Sequence, residues 1–368
     1  MRITKVVITG GPCAGKTSAM SWIQNHFTKM GYVVLFIPET ATELISGGVA
    51  PWTCGTNLDY QKCQVKLQLV KEDIFEQAAL TMHADKVLIV CDRGFMDNKA
   101  YMNDEEFAEA VASVGGSYEE MRDRYDAVFH LVTAANGAEE YYTTANNAAR
   151  YESVEEAVEL DNRLMRCWAG HPHFRVIDNS TGFEDKLKRL IKEMVSLLKE
   201  DHLIEYQRKF LIRYPDLDRL NSNPFARRVE VSEHYTFRQG DQEMRLRRCG
   251  TDGHYTYYQT SRRTFSGLRR AEVEKRLEKK RYLRILESLD PSVEQLEKVR
   301  YYLIYDRQYF SVDLFPFLDD VALVNVELAE EDQEIRFPPE LEVIREVTED
   351  PSYASYTLAQ RYREFKES

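Results

Sequence analysis

Three consecutive segments decide the fold of the first half: ITKVVIT (Ile3–Thr9), GGPCAGKT (Gly10–Thr17) and SAMSWIQNHF (Ser18–Phe27). An apolar run, a glycine-rich turn and a helical pattern follow one another in the order a phosphate-binding loop needs. Gly10, Gly11 and Gly15, with Pro12, Cys13 and Ala14 between them, let the backbone curl so that N–H groups and the helix N-terminus face an anion. Lys16 is spaced to reach the β- and γ-phosphates and Thr17 to ligate Mg2+, with Ser18 completing the loop. The stretch predicts a bound nucleoside triphosphate.

Outward from this motif, the chain alternates short apolar runs with longer helical patterns. YVVLFIPE (32–39), DKVLIVCDRG (85–94), YDAVFHLV (125–132) and HFRVIDN (173–179) read as buried parallel strands. The intervening YQKCQVKLQLVKEDIFEQAALTMHA reads as a helix, and FEDKLKRLIKEMVSLLKE (183–200) closes the region. Alternating β and α elements predict an α/β domain, residues 1–201, whose ligands sit at the C-terminal strand ends. From residue 202 to 368 strand candidates come in succession, separated by short turns such as RQGDQ and GTDGH. This second domain is expected to be α+β: an antiparallel sheet or barrel with one inserted helix, AEVEKRLEKKRYLRILESL.

Asp92 ends an apolar strand and can serve Mg2+ or take a proton from an acceptor hydroxyl. Glu39, at another strand end, can position an acceptor hydroxyl or a metal water; it suits a helix N-terminus equally. Arg150, beside a run of small residues, is a candidate lid arginine to cover the transferring phosphate, with Arg163 and Arg166 nearby. Asp178 and Asn179 stand where a purine base commonly sits over such a loop, although a turn before the last helix explains them too.

In the second domain charges recur at period two. Glu205, Gln207 and Lys209 alternate, as do Arg245 and Arg247, Glu272 and Glu274, and Lys298 and Arg300. Asp313 and Glu327 sit within apolar strand sequence. Alternate residues share one face of a strand, so a closed barrel would gather these charges inside. The basic residues would then bind a polyphosphate or phosphorylated ligand, and Glu205, Glu274, Asp313 and Glu327 would hold Mg2+ or Mn2+. Solvated outer strand faces are the other reading of the same pattern.

A net charge of −12 argues against a general nucleic-acid binder, and the six cysteines form no CxxC pair or zinc spacing. No apolar run approaches the roughly 18 residues of a membrane span. With no leader read at the N-terminus, the expectation is a cytoplasmic protein with reduced thiols.

GGPCAGKT, PETATELI, DRGFMDNKAYM, YDAVFHLVTAANGAEEYY, NNAARYES and HPHFRVIDN resemble the P-loop domain related to nicotinamide riboside kinase. More closely, they resemble that domain in the TRPL-translocation-defect family, where it is fused to a triphosphate-tunnel, or CYTH, domain. EYQRKFLI is similar to the ExExK signature of that second family, with Gln207 in place of the middle acid, a poorer metal ligand. The resemblance implies ATP or GTP binding through Lys16 and Thr17, and tunnel positions for Lys209, Arg245, Arg247, Lys298 and Arg300. Three functions follow as expectations: a kinase for a small hydroxyl acceptor; a nucleotide-dependent module capturing phosphoinositide or another polyanion; and a tunnel triphosphatase. A guanine-reading NKxD tetrapeptide is lacking, since NKAY at 98–101 has the wrong fourth residue.

Overall fold

The computed structural model describes residues 2–142, 153–198, 205–265, 269–289, 293–328 and 333–367. It divides into two compact units, Met1–Leu198 and Lys199–Ser368. The expected boundary at 201–202 lies outside the described residues.

The first unit is a parallel sheet of β1 (Arg2–Thr9), β2 (Val33–Ile37), β3 (Lys86–Asp92), β4 (Ala127–Leu131) and β5 (Phe174–Ile177), in the order β2-β3-β1-β4-β5. The inner strands read as continuous apolar runs because both their faces are covered. The helices are α1 (Lys16–Lys29), α2 (Thr40–Ser46), α3 (Asn57–Thr81), α4 (Asp104–Ala112), α5 (Tyr118–Arg122), α6 (Val154–Cys167) and α7 (Phe183–Leu198). On one face, Ile23, Phe27, Leu187, Leu190 and Met194 of α1 and α7 pack onto Val6, Ile8, Leu88, Val90 and Phe129. Each such burial contributes about 1.5–3 kcal/mol. On the other, Glu72 of α3 meets Lys5 of β1 at 3.0 Å.

Helix starts divide into two kinds. Reciprocal capping boxes open α4 (Asn103 with Glu106), α5 (Ser117 with Glu120) and α6 (Ser153 with Glu156). By contrast α1 opens after Gly15 with no side-chain cap. Its first N–H groups therefore remain for a ligand. They lie at the end of β1, where the chain changes the side on which it lays down strands, and a crevice opens at such a point.

The second unit closes eight antiparallel strands into a barrel: β6 (Glu205–Arg213), β7 (Ala226–Gln239), β8 (Gln242–Thr251), β9 (His254–Thr264), β10 (Arg269–Leu277), β11 (Gln295–Tyr305), β12 (Gln308–Leu314) and β13 (Val321–Leu328). Around the ring the order is β6-β13-β12-β11-β7-β8-β9-β10, and β10 returns to β6 through Arg269↔Tyr206 and Arg270↔Glu205. A further strand, β14 (Val343–Glu346), pairs with the other end of β6. Helices α8 (Leu217–Ser222), α9 (Lys279–Glu287) and α10 (Ser355–Glu367) complete the unit. Two-residue turns at Asp252-Gly253 and Asp306-Arg307, all at positive φ, set the hairpin registers.

The inserted helix is shorter than expected. Its first half is strand β10, and only Lys279–Glu287 is helical. EVEKRL suits both periods, and pairing decides: Glu272 lies opposite Arg262 and Glu274 opposite Thr260 of β9. Alternation also sorts the interior. At one end Leu211, Tyr235, Leu296, Phe315 and Leu323 pack against Leu358, Ala359 and Tyr362 of α10, which stops that mouth. Toward the other end Val229, Val231, Cys249, Tyr258 and Tyr302 cluster. The charged residues lie between these apolar plugs.

Candidate functional site

The phosphate-binding loop has the backbone its sequence predicts. Gly10 and Gly15 are left-handed at φ 138° and 89°, and Cys13 joins them at 54°. A Cβ on Gly15 would lie 2.5 Å from Cε2 of Phe183, and one on Gly10 would strike the Leu131 carbonyl. The Gly11 N–H donates to Asp161 Oδ1 at 2.6 Å, so a buried acid from α6 holds the loop from below. Lys16 Nζ bends back onto the Gly10 and Gly11 carbonyls at 3.0 and 3.2 Å. Burial, with Arg93 adding to it, brings Lys16 down to about 8 against the pull of Asp92, Glu39 and Asp97. Thr17 and Ser18 are exposed at the start of α1.

Asp92 and Glu39 come together beside this loop and share a cavity of about 650 Å³ with Gln61, Gln64, Arg93 and Tyr101. Burial raises Asp92, assisted by Glu39 and opposed by Lys16. Its Oδ1 is buried with no hydrogen-bond partner. An orphaned carboxylate oxygen near Lys16 fits a divalent cation or an acceptor proton. Glu39 behaves differently. Burial pushes it up, but Arg93, whose Nε donates to it at 2.5 Å, and the Thr42 hydroxyl hold it below the usual range. Arg93 reaches it from a left-handed backbone at φ 68°. Asp97 ties the wall, accepting from Thr9 Oγ1 at 2.6 Å, Trp168 Nε1 at 2.9 Å and the Gly94 N–H at 2.7 Å.

The other expected residues are placed as follows. Asn179 Nδ2 donates to the Thr133 and Asn136 carbonyls at 2.7 and 2.8 Å, and Asn179 Oδ1 accepts from Lys186 at 2.8 Å. Asp178 pairs with Arg189 at 2.8 Å and accepts from Ser180. Both side chains brace the turn that leads into α7. Arg163 lines the same cavity and donates to the Ala100 carbonyl, while Arg166 pairs with Glu159. Arg150 lies outside the described residues.

Sequence reasoning missed three supports of the loop. Asp161 and His130 lie 3.1 Å apart, both buried. Lys186 Nζ, buried and brought down to about 8 by desolvation, donates to Val132 O at 2.6 Å and Ala14 O at 3.2 Å. A signal existed for Asp161: it falls within the buried stripe Ala157, Leu160, Leu164 and Met165 of α6, where an acid is out of place.

In the second unit the barrel interior brings its charges together. Arg245 meets Glu272 at 3.1 Å and Glu233 at 3.6 Å, and Arg247 meets Glu274 at 2.9 Å. Asp313 takes Arg300 at 2.6 Å and Lys298 at 3.2 Å, with Asn325 at 3.3 Å. Burial pushes Glu233 up, but Arg245, Lys298, Arg247 and Arg300 hold it far below the carboxylate range. Lys298 is lowered by burial despite Asp313 and Glu233. Glu233, Glu243 and Arg262, which the sequence reading passed over, belong to this network, Arg262 reaching Glu272 at 2.7 Å and Glu243 at 3.1 Å.

Lys209 stands toward the α10 end, its Nζ donating to the Tyr353 carbonyl at 2.7 Å. With Gln207, Arg238, Glu243 and Arg262 it lines a cavity of about 410 Å³. Of the four acids expected to hold a metal, Glu274 and Asp313 are in ion pairs and Glu327 faces Gln207 across β13 and β6. The side chain of Glu205 lies outside the described residues. Among the described residues no three acid, histidine or cysteine side chains gather as a metal-binding group. No described helix is long and apolar enough to cross a membrane.

Residues 5–186 match the family model described as an AAA domain. The first unit is therefore an AAA-type P-loop nucleotide-binding domain. No match is found among curated proteins. Among solved structures the chain is similar to one titled as the inorganic triphosphatase NE1496, at 28% identity over 44% of this chain and 97% of that one, TM-score 0.30. A second structure, titled as the hypothetical protein NE1496, is 28% identical over 42% of this chain and 97% of that one, TM-score 0.29. PH1819 from Pyrococcus horikoshii OT3 is 16% identical over 34% and 81%, TM-score 0.27.

Proposed function

We propose that the first unit is a small-molecule kinase that transfers the γ-phosphoryl group of ATP or GTP to a hydroxyl acceptor. The observation that carries this reading is the cavity beside the loop, which has Asp92 and Glu39 at its phosphate end and polar side chains along its wall. A loop that only bound and hydrolysed nucleotide would have no use for a pocket of that volume beside it. The α1 N-terminus and Lys16 hold the phosphates, and Lys16 moves off the Gly10 and Gly11 carbonyls to do so. Mg2+ or Mn2+, held by Thr17 and Asp92, would supply charge neutralisation between the phosphates. Asp92, raised by burial, also suits the acceptor proton. Arg93 holds Glu39 in position for the acceptor, and Arg150 is proposed to cover the transferring group.

The pairing of this domain with a barrel whose interior cations are Arg245, Arg247, Arg262, Lys298 and Arg300 supports the resemblance to TRPL-translocation-defect proteins. A polyphosphate or phosphorylated head group is the ligand we assign to that interior. Incubation with γ-labelled ATP or GTP and pooled metabolites tests the kinase. Label reaching an organic acceptor in the wild type, and not in Lys16→Ala or Asp92→Asn, is the expected result. Tight nucleotide binding with no labelled acceptor would replace the kinase with a nucleotide-dependent binding module.

A further inference from the structure

One face of α3 contributes to the wall of the cavity beside the phosphate loop through Gln61, Gln64 and Gln68. Glu72 continues that face at the same three- and four-residue spacing, and all four are buried. Their hydrogen bonds have a fixed direction. Glu72 accepts from Lys5 Nζ at 3.0 Å, Arg124 Nε at 2.8 Å and the Tyr125 hydroxyl at 2.8 Å. A carboxylate held among two cations and a hydroxyl donor is ionised and can only accept. Gln68 therefore turns its Nε2 toward Glu72, at 3.3 Å, and its Oε1 away. That oxygen accepts from Asn98 Nδ2 at 3.0 Å, and the same nitrogen donates to the Phe95 carbonyl at 2.8 Å. A backbone carbonyl also only accepts, so two anchors independently fix which end of Asn98 is which. Asn98 Oδ1 then takes Gln64 Nε2, at 2.5 Å. Gln64 is left with its carbonyl oxygen on the opposite side.

Gln64 and Gln61 both line the cavity. Gln61 is 3% exposed, and its Oε1 has no partner among the described residues. Among the cavity's buried side-chain atoms without a partner, Gln61 Oε1 and Asp92 Oδ1 accept, and only Arg93 Nη1 donates, from the residue that holds Glu39. Building on the kinase reading of this cavity, we infer that the acceptor's far end carries an N–H donor group, an amino, primary carboxamide or amidinium group, received by the carbonyl of Gln64 with Gln61 beside it. The relay to Glu72 is what stops the Gln64 amide from flipping to suit a carbonyl instead. Gln61, Gln64 and Asn98 are thereby specificity residues, and Gln68 and Glu72 position them.

The test compares probes that exchange an amino group for a carbonyl or a carboxamide for a carboxylate: cytidine with uridine, adenosine with inosine, benzamide with benzoate. Binding is measured calorimetrically on the full chain without nucleotide. A site that leaves a buried carbonyl facing another carbonyl loses about ten- to a hundredfold in affinity. The N–H member of each bound pair is expected to win by that factor, and Gln61→Leu combined with Gln64→Leu to erase the preference while ATP or GTP affinity is unchanged. Equal or reversed preference in the wild type, a preference that survives the double variant, or no binding by any N–H probe would overturn the inference. The wild-type comparison needs no variant and stands if the double variant fails to fold. Preference without label transfer would defeat the kinase and leave this wall as assigned. Transfer to an acceptor lacking any N–H group would do the reverse.

Discussion

The two units manage buried charge in opposite ways. Beside the phosphate loop, functional atoms are left unfinished: Asp92 Oδ1 and Arg93 Nη1 lack partners, and Lys16 rests on backbone carbonyls. Inside the barrel, the cations Arg245, Arg247, Arg262, Lys298 and Arg300 are matched by Glu233, Glu243, Glu272, Glu274 and Asp313. The first arrangement leaves polar atoms for a ligand to meet. The second holds its charges in ion pairs, with Arg245 Nε, Arg247 Nε and Glu243 Oε1 making no hydrogen bond among the described residues, and a polyanion must open those pairs before it can bind. Stability should therefore reside in the barrel's charges and function in the loop's.

Glu233→Gln would break this contrast most severely if it proved harmless. The change leaves Arg245 and Lys298 without the carboxylate they share, and removing one partner from a fully buried set costs about 3–5 kcal/mol. The second unit is expected to unfold at distinctly lower urea while nucleotide affinity is untouched. Asp92→Asn should do the opposite. Neutralising a carboxylate that burial already disfavours relieves about 1 kcal/mol, raising the first unit's melting temperature by roughly 2–4 °C as label transfer disappears. A melting temperature that falls instead would mean Asp92 is structural.

Acid and base act on these charges as well. Glu233 and Asp313 are held below their ordinary values, so their contribution is complete above the unfolded carboxylate range and is lost as pH falls through it. Thermal scans from pH 5 downward are expected to show the barrel losing stability, and Glu72 and Asp161, also held low, impose the same trend on the first unit. At the other extreme Lys16, lowered to about 8 by burial, binds phosphate only when protonated. Nucleotide affinity should be level near neutrality and fall by up to about tenfold per unit above pH 8, with proton uptake on binding. Titration in two buffers of different ionisation heat measures that uptake. Flat affinity to pH 10 would place another cation at the phosphates.

Much of this was legible because it is local. The phosphate loop is contiguous, and the inner strands announce themselves as apolar runs. The barrel's Arg245–Arg247 and Lys298–Arg300 alternation survives because a strand's period is two. What escaped depends on partners distant in sequence. Glu233 continues the inward Val229 and Val231 face, a signal that single-residue reading of VEVSE passed over. The glutamines of α3 look like a solvated helix stripe until Asn98 and Glu72, from elsewhere in the fold, give their amides a direction. β10 read as helix because EVEKRL satisfies both periods and only the register with β9 chooses. The cavity beside the loop is a shape shared by α2, α3 and the turn of 3-10 helix at Phe95–Tyr101, and no one segment encodes it.

The finest test of the contrast lies at Gln207, the position where the sequence departs from the ExExK pattern it otherwise resembles. Gln207 lies directly across from Glu327 in the β6–β13 register and lines the mouth cavity with Lys209. Gln207→Glu sets two carboxylates opposite each other, and like charges so placed cost about 0.2–1 kcal/mol unless a divalent cation bridges them. A small loss of melting temperature is expected in metal-free buffer, recovered by millimolar Mn2+. Tripolyphosphate binding is expected to become metal-dependent by a few-fold. If Mn2+ neither restores stability nor strengthens binding, this face is no part of a metal cradle, and the interior cations alone hold the polyanion. The barrel would then act as a binding chamber, with Glu274 and Asp313 already committed to Arg247, Lys298 and Arg300.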